Sequence, residues 1–562
     1  MADFPRSHET QITYHRRRLE ELKQVRQPWE AEWRALADYI EPTRLRLSGN
    51  REGPRSRARI IDSTGTHAYD TLKSGMHSGL TSPARPWFRL TTFDPGLKKA
   101  DSVKAYLAAV QDKMREVFAA SNLYRAFHVG YGDLGQFGQS VAILVEDEDT
   151  VIRVQQLVHG RFWLARNHKG RATTLYRVFR WSVQRIVERF GYTQVPQRIR
   201  DLYDTARYAE CFDVYHAIEP RYDHDPAMRD KRNKPFLSNY WVDDIGTELL
   251  EESGFDSNPI IAPAWELSDD DHYSLSPGQK ALGDIRMLQL EQTRKLEGID
   301  KKVRPPMNAP TSMQNSPTSL LPGAVNYVDD PAGKGFRPAM EVNLSLSELR
   351  EDIQETQRRI DRTFFADLFF AITNMEGVQP RNQFELTQRK EEQLLQLGPV
   401  LENVFGDQLG PTIDRTFDIL AARDELPPPP RELQGEQLKV EYTSTLAQAQ
   451  MAVSTGPIER GVAFIGQLAG ARPDALDKLD TDEAIDLYVE AIGAPPSLIL
   501  ADDKVQAIRD RRAEEAQARQ SAEMASTMAP ALNQGAKAAE LLASANENPN
   551  GSALLRQLGL GA

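Results

Sequence analysis

Four stretches of this sequence carry residue types that catalysis or ligand binding could use. Ala332-Gly333-Lys334-Gly335 has the lysine and glycines of a phosphate-binding loop, but it lacks the earlier glycine at the right offset and the hydroxyl after the lysine. It reads as a turn. His8-Glu9 begins a zinc-binding helix pattern that fails at Ile12, where the second histidine would sit. Asp269-Asp270-Asp271 could draw a divalent cation, yet three consecutive side chains do not converge on one point without a sharp backbone bend. An acidic run just ahead of a helix instead suits the helix dipole. Gly75-Met76-His77-Ser78-Gly79 sets a serine beside a histidine, but a nucleophile elbow needs glycine two residues to either side of the serine. No catalytic group, metal or cofactor is expected, and an enzyme is a poor reading of this chain.

The cations are better organised. Arg44, Arg46, Arg51, Arg55, Arg57 and Arg59 crowd one loop against the single acid Glu52, and Lys295, Lys301, Lys302 and Arg304 gather near the end of a helical segment. The whole chain nevertheless has a net charge of −12. Tight binding of duplex DNA comes from neutralising phosphates and normally brings a basic surplus, so any DNA contact is expected to be local and weak. Cys211 is the one cysteine; it cannot form an internal bridge and fits synthesis in a reducing cytoplasm. No run approaches the roughly 18 apolar residues of a membrane span, and the first residues lack the apolar core of a signal peptide. No membrane association is expected.

The elements that must position these residues follow from periodicity. At roughly 100–200 residues per domain, 562 residues suggest three or four packed units. Residues 10–40 read as a helix with apolar positions Leu19, Leu22, Trp33, Leu36 and Ile40, stopped at Pro42. Residues 62–80 read as a short helix capped by Asp62 or Ser63 and interrupted by Gly75 and Gly79. Residues 81–88 are extended by their prolines, and 98–128 form one or two amphipathic helices. From 139 to about 265, β-branched and aromatic runs between turn residues predict an antiparallel β-subdomain, with a helix near 180–190. A long helix over 274–303 carries Leu282, Ile285, Leu288, Leu296, Ile299 and Val303 on one stripe. Seven prolines in 304–343 then exclude a helix, and a second long helix over 345–372 carries Leu346, Leu349, Ile353, Ile360, Phe364 and Leu368. A loop at 373–380 leads to a helix near 382–424, kinked at Gly398-Pro399 and Gly410-Pro411. A strand at Leu438–Ser444, helices at 444–470, 480–492 and 501–524, and a poorly packed tail complete the chain.

The run Asp62-Ser63-Thr64-Gly65, then Leu72-Lys73-Ser74-Gly75-Met76-His77-Ser78-Gly79-Leu80-Thr81-Ser82-Pro83-Ala84-Arg85-Pro86-Trp87-Phe88, resembles the portal, or head-to-tail connector, family of short-tailed phages. The opening helix Trp33-Arg34-Ala35-Leu36-Ala37-Asp38-Tyr39-Ile40-Glu41-Pro42 is similar too. So are Arg389-Lys390-Glu391-Glu392 with Leu397-Gly398-Pro399-Val400, and Tyr442-Thr443-Ser444-Thr445-Leu446-Ala447-Gln448-Ala449-Gln450. These matches extend from residue 30 to about 515. The chain departs from the family at Arg381-Asn382-Gln383-Phe384-Glu385-Leu386, where members often have a Thr-Ala-Thr-Glu-like run.

The resemblance implies a mixed α+β, predominantly α, portal fold. Its regions would be a wing (1–270, with the β-subdomain at about 139–265), a first stem helix (271–303), a clip (304–343) and a second stem helix (344–372). A tunnel loop (373–381), a long kinked wing helix (382–430), a C-terminal strand with crown helices (431–525) and a low-order tail (526–562) would follow. The assembly would be a homo-dodecameric ring at one capsid vertex of the virion, the channel for packaging and ejecting double-stranded DNA. Its partners would be the major capsid protein and scaffold, the terminase packaging motor and tail adaptor proteins. DNA-facing candidates are Lys295, Lys301, Lys302 and Arg304, with Asn374, Met375, Gln379 and Arg381 in or beside the tunnel loop. Met307, Asn308, Gln314, Asn315 and Tyr327 are the clip candidates for motor and tail docking. The arginines from Arg44 to Arg59 are candidates for a subunit or coat interface. Two alternatives make different predictions: an internal scaffold or core protein of the head would form no closed ring and show little β structure in 139–265, and a capsid-associated packaging enzyme would depend on nucleotide or metal.

Overall fold

The computed structural model describes residues 10–47, 56–243 (save 226 and 229), 249–308 (save 269 and 270), 346–373, 396–433, 438–448 (save 445), 461–470, 478–491 and 504–521, with a few isolated positions between them. The chain divides into two compact units, Met1–Arg460 and Gly461–Ala562. That is fewer than length alone suggests, because most of the helices, a three-stranded sheet and part of a larger one in the first unit share one continuous apolar core.

The N-terminal helix α1 (Gln11–Tyr39) serves two cores. Trp33, Leu36 and Ile40 enter the main core, whereas Ile12, Leu19 and Leu22 lie on a separate cluster with Trp163, Tyr176 and Trp241. Helix α2 (Thr64–Leu80) runs without a break. Its two glycines do not interrupt it; they let neighbours approach. A Cβ on Gly75 would fall 2.2 Å from the Phe369 ring, and one on Gly79 would fall 2.6 Å from Leu446. The extended segment after α2 leads into β1 (Phe88–Thr92). Helices α3 (Pro95–Lys99), α4 (Asp101–Ala120) and α5 (Leu123–Phe137) follow, and α5 ends at Gly138 in the left-handed conformation, φ 79°. Only glycine fits there, since a Cβ would press on the Ser274 carbonyl at 2.4 Å.

Two antiparallel sheets occupy the middle of the chain. The smaller has the order β3-β2-β9, from β2 (Ala142–Asp147), β3 (Val151–Gln156) and β9 (Ile260–Ile261). The larger is a five-stranded meander of β4 (Phe162–Arg166), β5 (Ala172–Ser182), β6 (Cys211–Pro220), β7 (Phe236–Val242) and β8 (Glu251–Phe255). Two helices, α6 (Val183–Phe190) and α7 (Gln197–Asp204), interrupt the meander where one was expected.

Helix α8 (Pro277–Val303) starts at a full capping box: Ser276 Oγ accepts from Gln279 N, and the Gln279 side chain accepts from Ser276 N. Short strands β10 (Met307–Asn308) and β11 (Arg337–Pro338) pair antiparallel. Helix α9 (Leu346–Thr363) follows. The helix expected to continue to residue 372 breaks at Phe364-Phe365, where Phe365 has φ 56°, and resumes as α10 (Ala366–Thr373). The later helix is described as α11 (396–404), a π-helical segment Phe405–Leu409 and α12 (Gly410–Ala422). The π segment lies directly ahead of Pro411, which has no N–H to give an α-helical ladder. The Phe405 carbonyl instead accepts from Gly410 N and from Tyr442 Oη at 3.0 Å. Tyr442 ends β12 (Leu438–Tyr442), which pairs with β1, a partner the sequence did not reveal.

In the second unit the described helices are α13 (461–470), α14 (Thr481–Ala491) and α15 (504–521). Arg509 on α15 forms a two-bond pair with Asp482 on α14, at 2.6 and 2.7 Å. Among the described residues no helix is long and apolar enough to cross a membrane.

Candidate functional site

The two long helices α8 and α9 lie against each other and are tied to the start of α2 by Asp62. Its carboxylate accepts from Gln292 Nε2 on α8 at 2.8 Å and from Gln357 Nε2 on α9 at 3.1 Å, as well as from Thr64. Burial works to raise the Asp62 pKa, but these hydrogen bonds outweigh it and hold the carboxyl below its ordinary value. Gln289 closes the junction, accepting from the Ile61 and Asp62 amides and donating to the Asp62 carbonyl. None of these glutamines was singled out from sequence, because a Gln inside a helix is an ordinary helix former until its partner is known.

The apolar stripe of α8 changes along its length. Leu282, Ile285 and Leu288 are buried within the chain, but Leu296 is 58% exposed and Val303 71% exposed. The candidate cations sit at this open end. Lys301, Lys302 and Arg304 are exposed and Lys295 is half-buried. Lys301 and Lys302 occupy the last helical turn, where they also complement the helix dipole. Just beyond, Met307 pairs with Pro338 and Asn308 with Arg337, so the proline-rich excursion leaves and returns at one point. Gln314 lies in a turn closed onto Thr311. Asn315, Tyr327, Asn374, Met375, Gln379 and Arg381 fall outside the described residues.

The arginine-rich run does not behave as one surface. Arg44 turns inward, where its guanidinium meets the buried Asp133 carboxylate. The exposed Arg57 pairs with the largely buried Glu41 at 2.6 Å, and Arg59 pairs with Asp38 at 2.9 Å on the outside. Arg46 is half-buried and faces a cleft between the two sheets, and Arg51 and Arg55 lie outside the described residues.

The other chemically suggestive residues are not brought together. The Ser78 hydroxyl donates to the Gly75 carbonyl one turn earlier in α2. His77 packs edge-on to His128, and burial, with the neighbouring histidine, lowers its pKa. Cys211 is an exposed thiol. Among the described residues no three His, Cys, Asp or Glu side chains could hold a metal ion. His8-Glu9, Asp269-Asp270 and Gly333-Lys334-Gly335 lie outside the described residues.

Long paired helices, chain ends brought together at Met307–Asn308 and Arg337–Pro338, and apolar surface left open beside them suit a protein that assembles with others. Residues 13–500 match the model of the bacteriophage head to tail connecting protein family, and the chain belongs to that family. It is 42% identical over 526 residues to the portal protein of Salmonella phage epsilon15, covering 93% of this chain and 94% of the relative. It is also 42% identical over 529 residues to the probable portal protein of Bordetella phage BPP-1, with the same two shares. A solved structure of the neck of an empty GTA particle, computed with C6 symmetry, covers 80% of this chain and 96% of that one at 14% identity and a TM-score of 0.34, too loose a likeness to support an argument. The function that follows from family and relatives is that of a portal, the head-to-tail connector of a phage particle.

Proposed function

We propose that this connector acts as a dodecameric ring at one capsid vertex, with α8 and α9 as its stem and residues 304–343 as its clip. The half-open stripe of α8 carries this reading. An apolar row that is buried at Leu282, Ile285 and Leu288 but exposed at Leu296 and Val303 needs further cover, and the next copy in a closed ring supplies it. The excursion from residue 309 to 336 contains few residues able to build a core of its own and suits docking to the terminase motor and then to tail adaptors. The wing would meet the major capsid protein and scaffold. Double-stranded DNA would pass the open end of α8, where Lys301, Lys302 and Arg304 offer a few exposed charges on an acidic chain. Few contacts suit sliding, because each strong phosphate contact would be a barrier to movement.

Two features weigh against the alternatives. An internal scaffold with little β structure does not match the eight strands described between Ala142 and Ile261, and the family is a structural component of the virion. Negative-stain imaging of the purified chain tests the reading: rings of about twelve units with a central hole support it, and uniform monomers or filaments overturn it. Deleting residues 310–335 should leave rings intact and abolish motor or tail docking; loss of rings would show that this segment is not the clip.

A further inference from the structure

Between the two sheets lies a cleft of about 1460 Å³, lined by ten cationic and five acidic side chains in a chain that is acidic as a whole. Several arginines outside the cleft meet a carboxylate closely: Arg26 pairs with Glu30 and Arg89 with Glu441, both at 2.7 Å. Within the cleft, the buried Arg177 donates to His216 Nδ1 at 2.8 Å, Gln155 Oε1 at 2.7 Å and Tyr240 Oη at 3.3 Å, and lies over the Phe179 ring. Arg415 donates to the Leu144 carbonyl and to the Ser257 carbonyl and hydroxyl, over the Phe255 ring. Arg185 lies over Trp181 at 4.7 Å. Neutral acceptors and ring faces fix a guanidinium in place and leave its charge uncancelled.

The carboxylates nearby do not cancel it. Asp418, Asp256 and Glu146 stand near Arg415, but among the described residues none forms an ion pair with it. Arg153 reaches Asp147 only at 3.9 Å and Arg180 reaches Asp213 only at 4.0 Å. Tighter pairs, Arg189 with Glu251 and Lys234 with Asp256, use up part of the charge. What is left is a surplus of positive charge, with Arg177 and Arg415 buried on neutral acceptors and the exposed guanidiniums of Arg153, Arg180 and Arg185 within reach of an added carboxylate or phosphate.

We infer that this cleft receives an acidic polypeptide segment from a second copy of the chain. This rests on the ring reading above. Single-stranded nucleic acid binds by stacking bases on open aromatic faces, and Phe179, Trp181 and Phe255 already have a guanidinium over them. The chain's own surface supplies carboxylates in surplus: Glu348, Glu351, Asp352 and Glu355 are all exposed along one face of α9. A cleft on one copy and an acidic helix face on the next are the unlike surfaces that a head-to-tail ring contact requires.

The test uses the full chain and two double variants, Arg180→Glu with Arg185→Glu, and Arg180→Gln with Arg185→Gln. Both residues are exposed at the cleft. Mass photometry follows ring assembly against concentration at low and high salt, with circular dichroism and melting temperature as folding controls. Charge reversal is expected to raise the half-assembly concentration at least about tenfold, with neutralisation intermediate and high salt narrowing the gap. If the reversed variant misfolds, the neutralised one decides. Rings of wild type and of both variants assembling alike would overturn the cleft inference alone. If the wild type formed no rings, the ring reading would fail and this inference with it. If reversal left rings intact but abolished binding of a fluorescent single-stranded oligonucleotide, the cleft would belong to nucleic acid and the second-copy inference would fall.

Discussion

The carboxylate of Asp133, which has no exposed surface, receives both ends of the Arg44 guanidinium: Nε donates to Oδ1 at 2.7 Å and Nη2 donates to Oδ2. Gln156 Nε2 adds a third bond at 3.1 Å. Burial pushes the Asp133 carboxyl upward, and the Arg44 charge opposes it. Removing one partner strands the other in the interior. Arg44→Met is therefore expected to cost about 3–5 kcal/mol, read as a shift in urea midpoint. Arg57→Met and Arg59→Met, whose own side chains are more than half exposed, should change stability by no more than about 1 kcal/mol. Equal losses in all three would contradict the inward placement of Arg44.

A second prediction concerns His15 and Glu219, which meet where α1 crosses the five-stranded sheet. His15 Nδ1 bonds Tyr176 Oη at 2.8 Å, and its ring stacks on Trp241. Burial pushes His15 down to about 4 and Glu219 up to about 7. Native Glu219 keeps a proton that the unfolded chain has released, so its contribution is present below pH 4.5 and lost as pH rises towards 7. Native His15 stays neutral where the unfolded ring is charged, so its contribution is present above pH 6.5 and lost as pH falls towards 4. The slopes oppose each other over the shared range. Glu219→Gln should expose a stability that rises between pH 4 and 6.5, and His15→Gln one that falls between pH 4.5 and 7. Denaturant midpoints followed by tryptophan fluorescence measure both; parallel profiles in wild type and variants would refute the pairing.

The helix glycines should respond oppositely to alanine. Gly75→Ala drives a methyl into Phe369 and is expected to destabilise by about 1–3 kcal/mol. Gly283 in α8 is exposed with nothing within 4 Å of a new Cβ, so Gly283→Ala should stabilise by about 0.5–1 kcal/mol through helix propensity. Thermal melts of the two variants separate a packing glycine from an unused one.

Leu296→Lys with Val303→Lys tests the open end of α8. Both residues are already exposed in the single chain, so its melting temperature should hardly move, whereas ring formation should be lost. Rings that persist in this variant would remove the main support for α8 as a stem helix.

Local signals made much of this fold legible. Ser276, Pro277 and Gln279 announce the start of α8, and the alternating β-branched residues between 142 and 261 announce strands, because capping and pleating involve neighbours in sequence. The break at Phe364-Phe365 was hidden because Ile360, Phe364 and Leu368 keep helical spacing through it. Phe365 takes its left-handed turn beside Trp265, whose ring lies 6.0 Å away. Gly75 and Gly79 read in sequence as an interruption, since a glycine that weakens a helix and one that admits a neighbour look alike until the neighbour is placed.

The sequence by itself determined most of the helices and strands, the family, and the total charge. Only the tertiary structure decided which charges are cancelled. Arg44 finds Asp133 on α5, and Asp62 gathers Gln292 and Gln357 from two different helices. Arg177 and Arg415 instead settle on rings and neutral acceptors and keep their charge. The composition is the same in every case. A charge is neutralised only by groups within a few ångströms, and here those groups come from segments brought together by folding.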